Sequence, residues 1–181
     1  MQDASFTHFM YLEDDILITR DNMSYWLEGR ELLREFDFIP SFLRVEQRAG
    51  SQDWYSTDCP QSYHVNHLPR AKLSNDLTFV NLPTPYQGMY LLDRDLMAEH
   101  LSGPSSSPDF GPWAIREKAA QGITFARVRP GFTSRNLIPF RDSQRQVDQR
   151  CLIHHTPNNY ANQHPRTNQF GSVLVRDLLL A

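Results

Sequence analysis

The sequence predicts a mixed α/β domain in which short strands and helices share one core. Two observations carry this. After the first strand, short apolar runs alternate with amphipathic stretches, and twelve prolines and eight glycines spread along the chain break it into many brief elements. At 181 residues the chain is long enough for one domain with its own core, spanning 1–181.

Residues 8–12, HFMYL, are short, apolar and aromatic, and predict a buried strand. Asp21 is positioned to cap a helix over 22–37. That helix sets Tyr25, Trp26, Gly29, Leu32, Leu33 and Phe36 on one face and leaves Glu28, Arg30, Glu31 and Arg34 mostly outside. Pro40 stops the helix, and 41–47 reads as a strand with Arg44 and Glu46 on one face, as an internal ion pair or an acceptor-side wall. Residues 48–76 are polar and turn-rich, with a short strand at 54–57, and strands follow at 77–81 and 89–92 across the turn-rich PTPYQG. Asp93 caps a short helix reaching 101, GPSSSP is a loop, and a second helix is predicted over 112–121, with Pro112 in its first turn and Gly122 at its end. Strands at 124–128 and 151–154 follow, then an irregular stretch from Asn158 and a final apolar segment at 173–180.

A formal charge of −3 and the lack of any Lys/Arg cluster argue against a nucleic-acid partner. Two cysteines, Cys59 and Cys151, are too few for a disulfide framework and favour a reducing compartment. No stretch approaches the roughly 18 apolar residues of a membrane span, and the N-terminus lacks the features of a signal peptide. The expectation is a soluble, cytoplasmic chain.

The segment FMYLEDDILIT places three carboxylates between two apolar runs. Alternation sets Glu13 and Asp15 on one side of the extended chain and Asp14 on the other. Hard carboxylate oxygens at the end of a strand suit Mg²⁺ or Mn²⁺, which then bridges to a diphosphate. The competing reading is a solvated turn, which the apolar neighbours on both sides disfavour.

YLEDDI after an apolar strand resembles the DxD-type segment of GT-A-fold glycosyltransferases in its Leu-Glu-Asp-Asp form. The resemblance implies a GT-A-like mixed sheet flanked by helices, and a metal-dependent transfer from a nucleotide-sugar donor to a glycan or other hydroxyl acceptor. Glu13 and Asp15 take the acidic places, with Asp15 favoured as the direct ligand. His154 or His155 in CLIHHTPNNYA completes the metal shell, since only one of two neighbours in an extended segment can face the cluster. Asp109 and Glu117 in PDFGPWAIREKAAQG are the two candidates for the base that takes the acceptor proton. Asp14, Gly88, Trp113 and Asn158 are the substrate-facing candidates. In that family the metal motif follows a nucleotide-binding half, so a motif beginning at residue 13 implies a partial domain, with the strand at 8–12 left with an apolar edge.

Two other readings compete. A non-catalytic carbohydrate-binding protein would use Trp54, Tyr55, Tyr63, Tyr86 and Trp113 as sugar platforms, and a metal-dependent phosphoester hydrolase would use the same carboxylates. His64 and His67 raise zinc only weakly, because their spacing brings no complete ligand set. Arg135 is a candidate for a phosphate contact or a surface arginine.

Overall fold

The computed structural model describes residues 5–163 and 170–181. In chain order the regular elements are β1 (His8–Leu12), β2 (Ile16–Leu17), α1 (Arg20–Leu33), β3 (Ile39–Pro40), β4 (Leu43–Gln47), β5 (Trp54–Ser56), β6 (Tyr63–His64), β7 (Arg70–Lys72), β8 (Leu77–Val80), β9 (Met89–Asp93), α2 (Arg94–Ser102), α3 (Lys118–Gln121), β10 (Asn136–Arg141), β11 (Gln146–Val147), β12 (Leu152–His155), β13 (Val173–Leu174) and β14 (Leu179–Leu180). The architecture is mixed α/β as expected, although strands and helices do not alternate, since β3 to β9 follow one another between α1 and α2. The irregular stretch expected from Asn158 falls partly on 164–169, outside the described residues.

Among the described residues the strands form two five-stranded sheets and two two-stranded pairs. One large sheet runs β13-β5-β4-β12-β2, parallel only between β4 and β12. The other runs β11-β10-β8-β7 in antiparallel fashion, with β3 joining β10 in parallel. β1 pairs with β9 as an antiparallel ribbon, and β6 with β14 in parallel. Trp26, Leu33, Phe38, Phe79, Leu137, Phe140, Ile153 and Leu178 fill the common core, each buried. Burying a side chain of this size contributes about 1.5–3 kcal/mol. No helix among the described residues is long and apolar enough to cross a membrane.

Several elements differ from expectation for identifiable reasons. Thr19, not Asp21, caps α1: its hydroxyl accepts from Asn22 N while the Asn22 side chain returns to Thr19 N, closing a capping box. The helix ends at Leu33, and a 3₁₀ turn at Arg34–Phe36 leads to Asp37 at φ 63°. Leu32 and Phe36 are consequently exposed, while Arg30, expected outside, is buried against Asp93 at 2.7 Å. β1 is not a buried strand. Met10, Tyr11 and Leu12 are 46 %, 38 % and 38 % exposed, because β9 is its one strand partner among the described residues.

The helix expected over 112–121 shrinks to α3. Trp113 packs instead against Tyr86 and Phe125, so tertiary contacts override helical propensity before Lys118. Gly122 does not terminate a helix through positive φ. A Cβ there would lie 1.8 Å from the Ser105 carbonyl oxygen, so the residue permits a close backbone approach. The strand expected at 124–128 is replaced by a 3₁₀ turn at Gly122–Phe125. β10 escaped sequence reading because Pro139 interrupts it. The Pro139 carbonyl accepts from Asp148 N, so its missing N–H faces the same edge, between the stretches paired with β3 and β11. Arg135 is neither a surface residue nor a phosphate contact. It is 1 % exposed and bound to Asp37 at 2.5 Å and Glu99 at 2.8 Å.

Asp93 ties β9, α2 and α1 together, capping α2 through Leu96 N at 2.8 Å and holding Arg30. Burial works against its charge, yet these hydrogen bonds outweigh burial and hold its carboxyl below the usual aspartate value. A depressed folded value means the stabilisation is complete above the unfolded pKa of about 3.9 and is lost as pH falls through the folded one. Asp93→Ala is expected to cost about 3 kcal/mol at neutral pH, because it removes a cap and strands a buried cation. Urea unfolding at pH 7 and at about pH 3 checks this, the deficit shrinking at the lower pH.

Candidate functional site

The acidic triplet is the turn between two sheets. Glu13 N donates to Gly88 O at 3.0 Å, extending the β1–β9 ladder by one step, and Ile16 N donates back to Glu13 O at 3.3 Å. Asp15 O then accepts from Thr156 N at 2.9 Å, immediately after β12. The apolar residues on either side therefore belong to strands of different sheets, β1 and β2, and the carboxylates occupy the seam.

A cleft of about 600 Å³ opens at this seam. Glu13, Asp14, Asp15, Glu117 and His155 line it, together with Tyr11, Arg44, Tyr86, Arg116, Asn159 and Tyr160. Asp14 is exposed and Glu13 and Asp15 are partly buried. The triplet is a turn and not an extended strand, so Asp14 lines the cleft with the other two instead of facing away. Glu13 accepts a hydrogen bond from the Tyr86 hydroxyl and lies 3.7 Å from Arg44 Nη1. Burial raises its carboxyl above the usual range, with Tyr86 and Arg44 pulling it back in part. Burial likewise raises the Tyr86 phenol, and its bond to Glu13 raises it further.

Asp15 Oδ2 lies 3.1 Å from His155 Nε2, and Asp15 Oδ1 is buried with no hydrogen-bond partner among the described residues. His155 Nδ1 is bonded to Glu46, a fully buried carboxylate whose other oxygen accepts from Ala161 N at 2.6 Å. Arg44 and Glu46 share a face of β4 as expected, but they are not each other's ion pair. Arg44 binds Asp58 through Nε at 3.0 Å and Nη2 at 2.8 Å. Its guanidinium also lies 4.7 Å from the ring centre of Tyr86 and 5.5 Å from that of Tyr160. Burial opposes the Arg44 charge, and Asp58 more than compensates, raising its pKa.

Of the two histidines, His155 faces the cleft. His154 points through the other face of the sheet into a groove of about 310 Å³ with Leu17 and Trp54. Its Nε2 meets Asn158 Oδ1 at 2.9 Å. Asn158 also accepts from Gln47 N at 2.8 Å and adopts φ 52°, so it builds the turn and does not line the cleft. Of the two base candidates, Glu117 is in the cleft and Asp109 is exposed outside it. Trp113 stands behind Tyr86, with ring centres 6.5 Å apart, outside the lining. Gly88 sits beneath Glu13 at φ +68°, and a Cβ there would lie 2.7 Å from Glu13 Oε2.

Among the described residues no three His, Cys, Asp or Glu side chains are arranged to hold one ion together. Glu13 is turned toward Tyr86 and Arg44, which leaves Asp15 and His155 as the nearest pair of donors. His64 and His67 are exposed with ring centres 5.3 Å apart. The sugar platforms considered from sequence do not form one surface: Trp54 lies in the groove with His154, and Tyr55 is buried under Arg48. Sequence reading missed Asp58 as the partner of Arg44 and Tyr160 as part of the cleft wall, whose only signal is proximity created by the fold.

No family model matches the chain, and no curated protein or solved structure is significantly similar to it.

Gly88→Ala is expected to destabilise the protein by about 1–2 kcal/mol through left-handed strain, and to displace Glu13. Chemical unfolding measures the first effect. Tyr86→Phe removes a hydrogen bond that lowers the Glu13 pKa, so that pKa is expected to rise further, as read by ¹³C NMR titration of the carboxyl.

Proposed function

We propose that the cleft holds Mn²⁺ or Mg²⁺ with the diphosphate of a nucleotide-sugar, and that the chain is a GT-A-like glycosyltransferase domain transferring the sugar to a hydroxyl acceptor. The observation that carries this is Asp15: one carboxylate oxygen faces an imidazole nitrogen at 3.1 Å, and the other is buried without a partner among the described residues. An oxygen and a nitrogen donor of this kind fit Mn²⁺ well and Mg²⁺ acceptably. Asp15 and His155 would be the protein ligands, and Glu13 would join them by leaving Tyr86.

When bound, the cation neutralises the diphosphate and stabilises it as a leaving group. The chain's own residues supply the remainder. Glu117 on the cleft wall takes the proton of the acceptor hydroxyl. Arg116 beside it offers a planar fork to a phosphate. Tyr11 and Tyr160 present ring faces to base or sugar, and exposed Asp14 accepts hydrogen bonds from sugar hydroxyls. Orientation within the cleft supplies much of the rate.

A second reading, a carbohydrate-binding protein without catalysis, is favoured by the commitment of Glu13 to Tyr86 and Arg44 and by the three tyrosines around the cleft. Thermal melts in EDTA, in Mn²⁺, and in Mn²⁺ with a panel of nucleoside diphosphates separate the two. The transfer reading expects Mn²⁺ to raise Tm, one nucleotide to raise it further, and Asp15→Asn to abolish both shifts while the protein stays folded. A melt indifferent to Mn²⁺ and to every nucleotide would leave the binding reading in its place.

A further inference from the structure

We infer that Glu46 is a positioning residue that sets the tautomer of His155, so that Nε2 faces the cleft as a lone-pair donor. This rests on the reading of the cleft as a cation site. Glu46 is 0 % exposed, which is costly for a carboxylate unless both oxygens are satisfied. Both are. Oε2 accepts from Ala161 N at 2.6 Å, and Oε1 faces His155 Nδ1. A backbone N–H can only donate, so Ala161 fixes the orientation of the carboxylate. The remaining oxygen is an acceptor, and it draws the ring proton to Nδ1.

The consequence appears at the other end of the ring. With its proton on Nδ1, neutral His155 carries a free lone pair on Nε2, which lies 3.1 Å from Asp15 Oδ2. Asp15 Oδ2 is an acceptor too and competes for the ring proton, but the fully buried Glu46 at the shorter contact holds it on Nδ1. A cation seated between Nε2 and Asp15 then turns two opposed acceptors into ligands. A carboxylate behind a ligating imidazole also makes the ring a stronger donor. β4 supplies this support by alternation: Arg44, two positions earlier on the same face, reaches Glu13 as Glu46 reaches His155.

Glu46→Gln discriminates, because Ala161 N–H still needs an acceptor and claims the amide oxygen. The amide NH₂ is then aimed at His155 Nδ1, which must accept, and the proton of the neutral ring moves to Nε2. Two measurements on the full chain test this. Mn²⁺ alone is titrated calorimetrically into wild type, Glu46→Gln and Asp15→Asn. The His155 tautomer is read from ¹⁵N shifts of the metal-free protein at a pH where the ring is neutral.

The expected result is an Nδ1–H ring in wild type, an Nε2–H ring in Glu46→Gln, and Mn²⁺ affinity lowered about 10–100-fold in that variant. An Nε2–H ring in wild type overturns the inference, and so does an unchanged tautomer with unchanged Mn²⁺ affinity in Glu46→Gln. If wild type binds no Mn²⁺, the cation reading fails, and the tautomers still decide on Glu46. If Glu46→Gln does not fold, the wild-type tautomer decides alone.

Discussion

The parallel pairing of β4 with β12 is the constraint on which the rest of the structure depends. It sets Leu43 against Leu152 and Val45 against His154 in the middle of a five-stranded sheet. A parallel pair needs a long connection, and here that connection contains most of the protein. The pairing also puts Arg44 and Glu46 into the interior, where unpaired charges cost several kcal/mol each. Asp58, His155 and Ala161 meet that cost from three separate parts of the chain. The buried charges thus dictate where the strand β5–β6 connection, the end of β12 and the following turn must lie.

How much of this was legible in the sequence depends on the range of the interactions involved. Asp93 announced itself as a cap because its partner, Leu96 N, is three residues away. The strands at β5, β8 and β9 were recognisable from their own apolar residues. The facing of only one of His154 and His155 toward the cluster followed from strand alternation alone, whereas the acidic triplet is a turn that brings Asp14 into the cleft as well. By contrast, β10 is masked by Pro139, whose tolerance depends on a gap between neighbouring strands. The loop at 112–117 carries helix-compatible residues, and it is Tyr86 and Phe125 that hold Trp113 out of a helix. Arg135 reads as a surface cation until Asp37 and Glu99 are brought to it by the folding of two other elements.

The same distinction holds at the candidate site. Residues that carry their own chemistry, such as the triplet and Glu117, stand out in the sequence. Residues that hold the site together do not, because Asp58 supporting Arg44 or Glu46 supporting His155 involves partners that are distant in sequence or in a role no local pattern encodes. Arg44 and Glu46 were visible as a same-face pair, yet their opposite signs suggested each other as partners. The fold separates them because each has a better-placed partner on a neighbouring segment, Asp58 for Arg44 and His155 for Glu46.

The acidic turn has one more consequence. Glu13 is bonded to the β1–β9 ribbon and Asp15 to the end of β12, so two residues separated by a single residue are anchored in different sheets. The turn is therefore a hinge pin: any sliding of the ribbon against the large sheet is felt first as a change in the gap between those two carboxylates. Whatever grips both of them acts as a rivet, joining mechanically two sheets whose shortest backbone link runs through Asp14.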